Sequence, residues 1–496
     1  MSSERSAEVE FVKLPFLRRN NPFIQVLLSG ACLFCNPGLY LAITGLGAGG
    51  GKVSSTTMAD ISNGVLYGLF TFSAILGGTM INVFGPRITM MFGVTGYPIY
   101  IGSLWYFDVH GKLWFPVFAG AYLGITAGCL WSVAGFMGNA YAEESQKGTW
   151  RAIQWTCNAS GATIGGLVAL GINLNTTRES VPHSVYIVFI ILQICSVGFA
   201  ALMLPPKALR RKDGTALAEF KPVTLIESLS GLGKLFGDYR ILLMLPTFYA
   251  GEVFLVLQSS INAYAYNLRT RSLNNVLTNI VQIPFTILVG TLLDSKKLGS
   301  RRRRGMIVVI IDAVFITGTY IAQTIWLASW KFDRNIAGPS IDWTDSSYPG
   351  AVIIYLCYGA QYGMFQNTVL WLLGSLTNQP SRLGHMAGLF VSVLSAGTAS
   401  AFGIDSTKTP YERENGAYFA LATISWPILF YIAWKCTTDS NYFHEEGVGI
   451  PVHVQLEHDK MAGVIDGEAV EEKLHSQPVA ERSAIGKEEK LLKSAI

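Results

Sequence analysis

Long apolar runs separated by short polar stretches pattern almost the whole chain. A hydrocarbon core of about 30 Å takes about 20 helical residues. Runs of that size lie near 22–44, 60–82, 88–107, 113–140, 152–174 and 184–204. After a polar interval they resume near 240–263, 274–293, 306–330, 349–377, 384–403 and 415–435. Because lipid cannot satisfy an open backbone, such runs must be helices. The pattern predicts an all-α polytopic membrane protein with twelve transmembrane helices in two six-helix halves, 22–204 and 240–435. Polar segments flank them: 1–21 at the N-terminus, a linker at 205–239, and a tail at 436–496 that is charged, lacks a long apolar run and reads as disordered.

Basic residues assign sidedness. One set of loops holds Arg18, Arg19, Arg87, Lys147, Arg151, the linker residues Lys207, Arg210, Arg211, Lys212, Lys221 and Lys234, then Lys296, Lys297, Arg301 to Arg304 and Arg382. The other holds Lys52, Lys112, Arg178, Arg269, Arg271, Lys331, Arg334, Lys408 and Arg413, which are fewer and more scattered. The first set, and with it both termini and the linker, is expected in the cytosol. Asn175 begins a glycosylation sequon on the opposite face, whereas the sequon at Asn158 lies inside a span. Which membrane holds the protein, plasma membrane or endomembrane, is left open by the sequence.

Composition narrows the function classes. Hydrophobic residues make up 50% and charged residues 14%, against roughly 25% charged in soluble domains. A net charge of +4 gives no reason to expect nucleic acid as a partner. The lipid bilayer is the implied environment. Six of the seven cysteines lie in apolar runs, so no disulfide framework or metal site is expected, and the Cys32–Cys35 pair reads as two small apolar side chains. Gly45 to Gly50 formally fits G-x-G-x-x-G, but it ends a span rather than following a strand, so no dinucleotide cofactor is inferred. Nothing in the chain has the spacing of a catalytic constellation, and the protein is expected not to be an enzyme.

Polar groups inside spans are the candidate chemistry, because ionisable side chains there are costly. Glu252 falls mid-span in the seventh run, with Gln258 and Asn262 further along it. Asn36, Trp131, Gln361, Gln366 and Asn367 add polar or aromatic groups to the first, fourth and tenth runs. Each alone is more often an interhelical hydrogen bond than a ligand contact; together they outline a cavity. Asp312 is expected to be structural. Glycines four apart (Gly64/Gly68, Gly120/Gly124/Gly128, Gly161/Gly165, Gly359/Gly363) stack on helix faces and predict close packing, a sliding surface, or both.

The punctuation after the second span of each half repeats. Gly78, Asn82, Gly85 and Arg87 form one copy, expected as a tight turn, and Gly290 and Asp294 followed by Arg301 to Arg304 form the other. Both resemble the major facilitator superfamily signature loop G-x-L-x-D-x-x-G-x-R, with Asn82 replacing its Asp. The resemblance implies that the first, fourth, seventh and tenth helices line a central cavity, which places Glu252 for proton coupling or for a cationic solute. A carboxylate in this loop favours a nearby helix N-terminus, so Asp294 is expected to form a latch and Asn82 a weaker one. More narrowly, Asn21–Pro22, Cys35 to Tyr40, Gly96–Tyr97, Leu130–Trp131, Lys147–Gly148, Trp371, Gly374 to Asn378 and Ala387 to Phe390 resemble fungal Unc-93-like proteins. Leu41, Ala134, Tyr362, Val391 and Leu394 stand where that family commonly has polar groups, which implies a less polar cavity. The resemblance leaves two functions: a secondary transporter of a small organic solute by alternating access, with proton coupling through Glu252 as one form of it, or a non-transporting regulator or escort of another membrane protein. A sorting-like run, Glu488 to Leu492, is compatible with both.

Overall fold

The computed structural model describes residues 14–44, 53–173, 183–219 and 223–462. Asn175, the Gly45 to Gly50 run and Glu488 to Leu492 lie outside them. The described chain is helical, with only isolated bridge pairings such as Arg210 with Ala216. In order, the first half comprises α1 (Pro22–Thr44), α2 (Val53–Gly93), α3 (Gly96–His110), α4 (Trp114–Ala140), α5 (Lys147–Asn173) and α6 (His183–Ala201). The linker carries α7 (Leu225–Leu235). The second half comprises α8 (Tyr239–Ala265), α9 (Leu268–Asp294), α10 (Arg301–Trp330), α11 (Tyr348–Ser375), α12 (Pro380–Ser406) and α13 (Tyr411–Cys436), and α14 (Val452–Met461) follows. Among the described residues nine helical stretches are long and apolar enough to cross a membrane, one of them the 50-residue run Ile61–His110. Large apolar side chains on the outside of the bundle, such as Phe72 and Val314, each 72% exposed, suit lipid rather than water.

Besides α13, which ends in a π-helical segment over Ile432–Cys436, three helices depart from regularity, each for a local reason. The stretch 78–87 is not the expected tight turn. Helix continues through it, and the chain swings only at Gly85, whose φ of 81° and ψ of 160° glycine alone adopts readily, with Pro86 opening the next helical segment. In α1 a π-helical segment, Phe34–Gly38, surrounds Pro37, which cannot donate to the turn before it. The seventh span, expected as continuous, is broken: helix runs over Tyr239–Tyr249 and again over Val253–Ala265. Pro246 removes one ladder bond and Gly251 weakens the next turn. The packing there is tight, since a Cβ on Gly251 would sit 3.0 Å from Leu394 and 3.1 Å from the Phe248 carbonyl.

Within the first half α2 lies along α4, and across the halves α2 packs on α12 and α5 on α9. Small residues allow the approach. A Cβ added to Gly148 would lie 2.7 Å from the Gly290 carbonyl, and one on Gly120 would lie 2.6 Å from that of Ser62. Gly161 and Gly165 face α1, and Gly359 and Gly363 face α9. Gly64 and Gly68 meet nothing within contact distance, so their predicted stacking is not used. Gly161→Val should force α1 away from α5, because the first added carbon already meets the backbone of Phe34. A loss of roughly 1–3 kcal/mol is expected from overpacking, visible as a lowered melting temperature of the purified protein. An unchanged melting temperature would refute the close packing.

The tail is not disordered from residue 436, as expected, but is ordered to the end of α14 and packs as far as Leu456. Asn441 Nδ2 donates to the Ser375 carbonyl at 2.8 Å, the Gly449 amide to the Leu217 carbonyl at 2.9 Å, and the Val452 amide to Asp213 at 2.8 Å. Polar composition concealed this because the partners are backbone and side-chain groups of distant loops.

Candidate functional site

A cavity of about 590 Å³ opens between the halves. Tyr40, Asn63, Tyr67 and Tyr100 face it from the first half, and Gln258, Asn262, Asn275, Asn279, Gln282, Tyr358 and Tyr362 from the second. Amides and tyrosine hydroxyls share the wall with apolar Leu41, Leu104, Phe254, Leu255 and Phe402. Tyr100 and Tyr40 both donate to Asn63 Oδ1, at 3.0 and 3.2 Å. Asn275, Asn279 and Gln282 follow one face of α9, with Gln282 Nε2 donating to Asn279 at 3.2 Å.

Below it, and sharing Tyr40, Leu41, Tyr67, Leu255 and Tyr362 with it, lies a chamber of about 70 Å³. Glu252, Trp131, Trp155, Arg151 and Gln366 line this chamber, with apolar Leu370, Phe390, Val391 and Leu394. Leu41, Tyr362, Val391 and Leu394, four of the five less polar positions, are thus at the chamber. Glu252 sits at the break in α8, at the start of its second segment, with φ of −135° and ψ of −1°. Tyr362 donates its hydroxyl to this carboxyl. Trp155 joins the halves around it: its Nε1 donates to Gln282 at 3.1 Å, and its ring meets Tyr362 edge to face at 4.8 Å.

Of the residues singled out in the sequence, Glu252, Gln258, Asn262, Trp131 and Gln366 converge on the two spaces. Asn36, Gln361 and Asn367 do not. Asn36 donates to Ser196 at 2.7 Å and ties α1 to α6. Gln361 is buried and bonds Tyr320. Asn367 donates to the Gly148 and Thr286 carbonyls, at 3.4 and 3.3 Å, where α5, α9 and α11 meet. Asp312 takes the Thr368 hydroxyl at 2.6 Å, away from the cavity. Arg151, assigned by sequence to a loop, lies buried in the first turns of α5. The Asn275–Asn279–Gln282 spacing in an apolar run was the signal that could have found the α9 wall; Arg151 had none.

The end of the bundle bearing the two repeated loops is sealed. Asp294 accepts the amides of Gly148 and Thr149, at 3.0 and 2.6 Å, at the N-terminus of α5 in the other half. Asn82 donates instead to the Ser381 carbonyl at 3.2 Å and lies 3.2 Å from His385 Nε2, at the start of α12. Lys147 Nζ donates to the Gly374 carbonyl at 2.6 Å and to Asn378 at 2.8 Å. Glu144 meets Arg301 at 3.2 Å and accepts from Asn378 at 2.6 Å and from the Asn441 amide at 2.9 Å. Burial pushes the Glu144 carboxyl up, but Arg301, Lys147 and those hydrogen bonds outweigh it and hold its pKa below the ordinary value of 4.5.

Two packed helical halves, a cavity between them and paired latches at one end define a membrane protein of the transporter type. Residues 23–402 match the family model described as Major Facilitator Superfamily. The fold is similar to that of a proton:xylose symporter, with a TM-score of 0.60 at 13% identity, covering 83% of this chain and 94% of that one. A membrane protein of Schizosaccharomyces pombe is 41% identical over 396 residues, 80% of this chain and 81% of the relative. UNC93-like protein 1 of Arabidopsis thaliana is 33% identical over 433 residues, 86% of this chain and 94% of the relative. The chain belongs to the Unc-93-like family of the major facilitator superfamily.

Proposed function

We propose that the protein is a non-enzymatic secondary transporter that moves a small organic solute by alternating access, with Glu252 as the proton-coupling group. The observation that carries this reading is a two-part cavity between the halves that ends at a carboxyl placed on a broken helix, with the far end latched shut. Counting Ile61–His110 as two spans at Gly85, and adding α5 and α11, of 27 and 28 residues, brings the nine stretches to twelve transmembrane helices. The basic-residue bias favours a cytosolic latched end, so that the cavity faces outward. In this reading the halves are 22–204 and 240–435 and the linker is 205–239, whose helix α7 rests on the latched end through Ser228, 3.0 Å from His385.

The test compares small-molecule content inside and outside cells with and without the protein, then repeats the measurement in reconstituted vesicles. A solute whose distribution follows the protein in both is the expected result. No such solute, together with a membrane protein that co-purifies and mislocalises in its absence, would replace transport with the escort role.

A further inference from the structure

Donors outnumber acceptors in the inner chamber. Arg151, only 6% exposed, donates from Nη1 to the Ala134 carbonyl at 3.0 Å and to Gln154 at 2.7 Å, while its Nε has no partner among the described residues. No carboxylate pairs with it among those residues. Gln366, 3% exposed, likewise leaves Nε2 without a partner there. A guanidinium buried in a span without a counter-ion is costly, and so is an unbonded amide donor. The carboxyl on this chamber, Glu252, is already bonded by Tyr362, and the nearby Thr398 hydroxyl donates to the Leu394 carbonyl at 3.1 Å. The remaining walls are aromatic or aliphatic: Trp131, Trp155, Tyr67, Phe70, Phe390 and Leu394.

We propose that the inner chamber is an anion subsite that takes the carboxylate of a small, planar organic acid, with Arg151 and Gln366 donating to it and the aromatic walls holding its apolar body. A chamber of about 70 Å³ admits a carboxylate, and the cavity above receives the rest of the solute. The groups facing Glu252 are Tyr362 from α11, Thr398 from α12, Tyr40 from α1, Tyr67 from α2, Tyr97 from α3 and, across the chamber, Arg151 from α5. With Arg151 the one cation in that set, a second carboxylate is accommodated when Glu252 holds a proton. One proton then enters with each carboxylate. The inference deepens the transport reading, but binding to the purified protein is measurable without transport.

The experiment is calorimetric titration of the detergent-solubilised full chain with benzoate, benzamide, benzylamine and inorganic phosphate at pH 5.5 and 7.5. Benzoate is expected to bind at least about tenfold more tightly than benzamide, as a charge-assisted pair would, and more tightly at the lower pH. Arg151→Gln should remove the preference for benzoate over benzamide, Arg151→Lys should keep part of it, and Glu252→Gln should bind benzoate equally at both pH values. If Arg151→Gln does not fold, Gln366→Leu and Arg151→Lys decide, each by a benzoate preference reduced but not abolished in a protein with unchanged elution. Equal binding of benzoate and benzamide, stronger binding of benzylamine or phosphate, an Arg151→Gln protein that keeps the benzoate preference, or no binding of benzoate at all overturns the subsite. Benzoate binding without any flux in vesicles would leave the subsite standing and remove transport. Flux of a solute without a carboxylate would do the reverse.

Discussion

Glu252→Gln is expected to abolish the pH dependence of flux in reconstituted vesicles while surface expression stays at the wild-type level. The glutamine has nearly the same shape and still accepts from Tyr362, so the broken helix keeps its packing on α12. What it loses is the proton. A single titrating carboxyl changes its ionised fraction by up to about tenfold per pH unit. Wild-type flux measured across two units should therefore vary by at least about tenfold, and the variant's by less than about twofold. Position gives this residue its leverage. Gly251 and the Ala250–Glu252 break interrupt the backbone where the cavity narrows, so the carboxyl is held by side chains of α11 and α12 rather than within a regular helical turn. Motion of either helix changes its surroundings directly. A Glu252→Gln protein with wild-type pH dependence would remove this residue from coupling and leave the cavity without an identified proton carrier.

The spans were legible because their signal is local: a run of apolar residues as long as the bilayer is thick has few other solutions. The Asp294 latch was legible for a similar reason, since a carboxylate in that loop needs only a helix N-terminus nearby. The break in α8 was not. Pro246 and Gly251 permit it, but Gly397 packing against Tyr249 and Leu394 against Gly251 fix its place, and those contacts span about 150 residues of sequence. Arg151 was missed because basic residues near a span boundary read as loop, whereas α5 begins at Lys147 and draws both residues inside. Asn36 and Asn367 show the opposite error. A polar side chain in a span announces that a partner exists, but not whether the partner is a solute or another helix.

Lys147→Met is expected to open the latched end. The methionine fills similar volume but removes the ammonium that donates to the Gly374 carbonyl and to Asn378, leaving that carbonyl with the Arg301 guanidinium at 3.3 Å. Hydrogen bonds to charged groups are worth roughly 1.5–3 kcal/mol each, less the desolvation of the lysine. A shift of about 2 kcal/mol toward the open arrangement corresponds to about thirtyfold in population. The reporter is Leu370→Cys, on the wall of the inner chamber, in a chain whose seven native cysteines are replaced. A membrane-impermeant thiol reagent applied from the cytosolic side should label it slowly in the parent and about thirtyfold faster with Lys147→Met. Glu144 sets the pH behaviour of the same latch. Its carboxyl is held below 4.5 when closed, so its contribution is fully present above that value and is lost as pH falls through the lowered one. The Glu144 contribution to closure should therefore not vary between about pH 6 and 8. Equal labelling of the parent and the Lys147→Met protein would mean that Asp294 and the α2–α12 contact hold this end without the lysine, and that the strap formed by residues 437–449 and the Glu144–Arg301 pair contribute the rest.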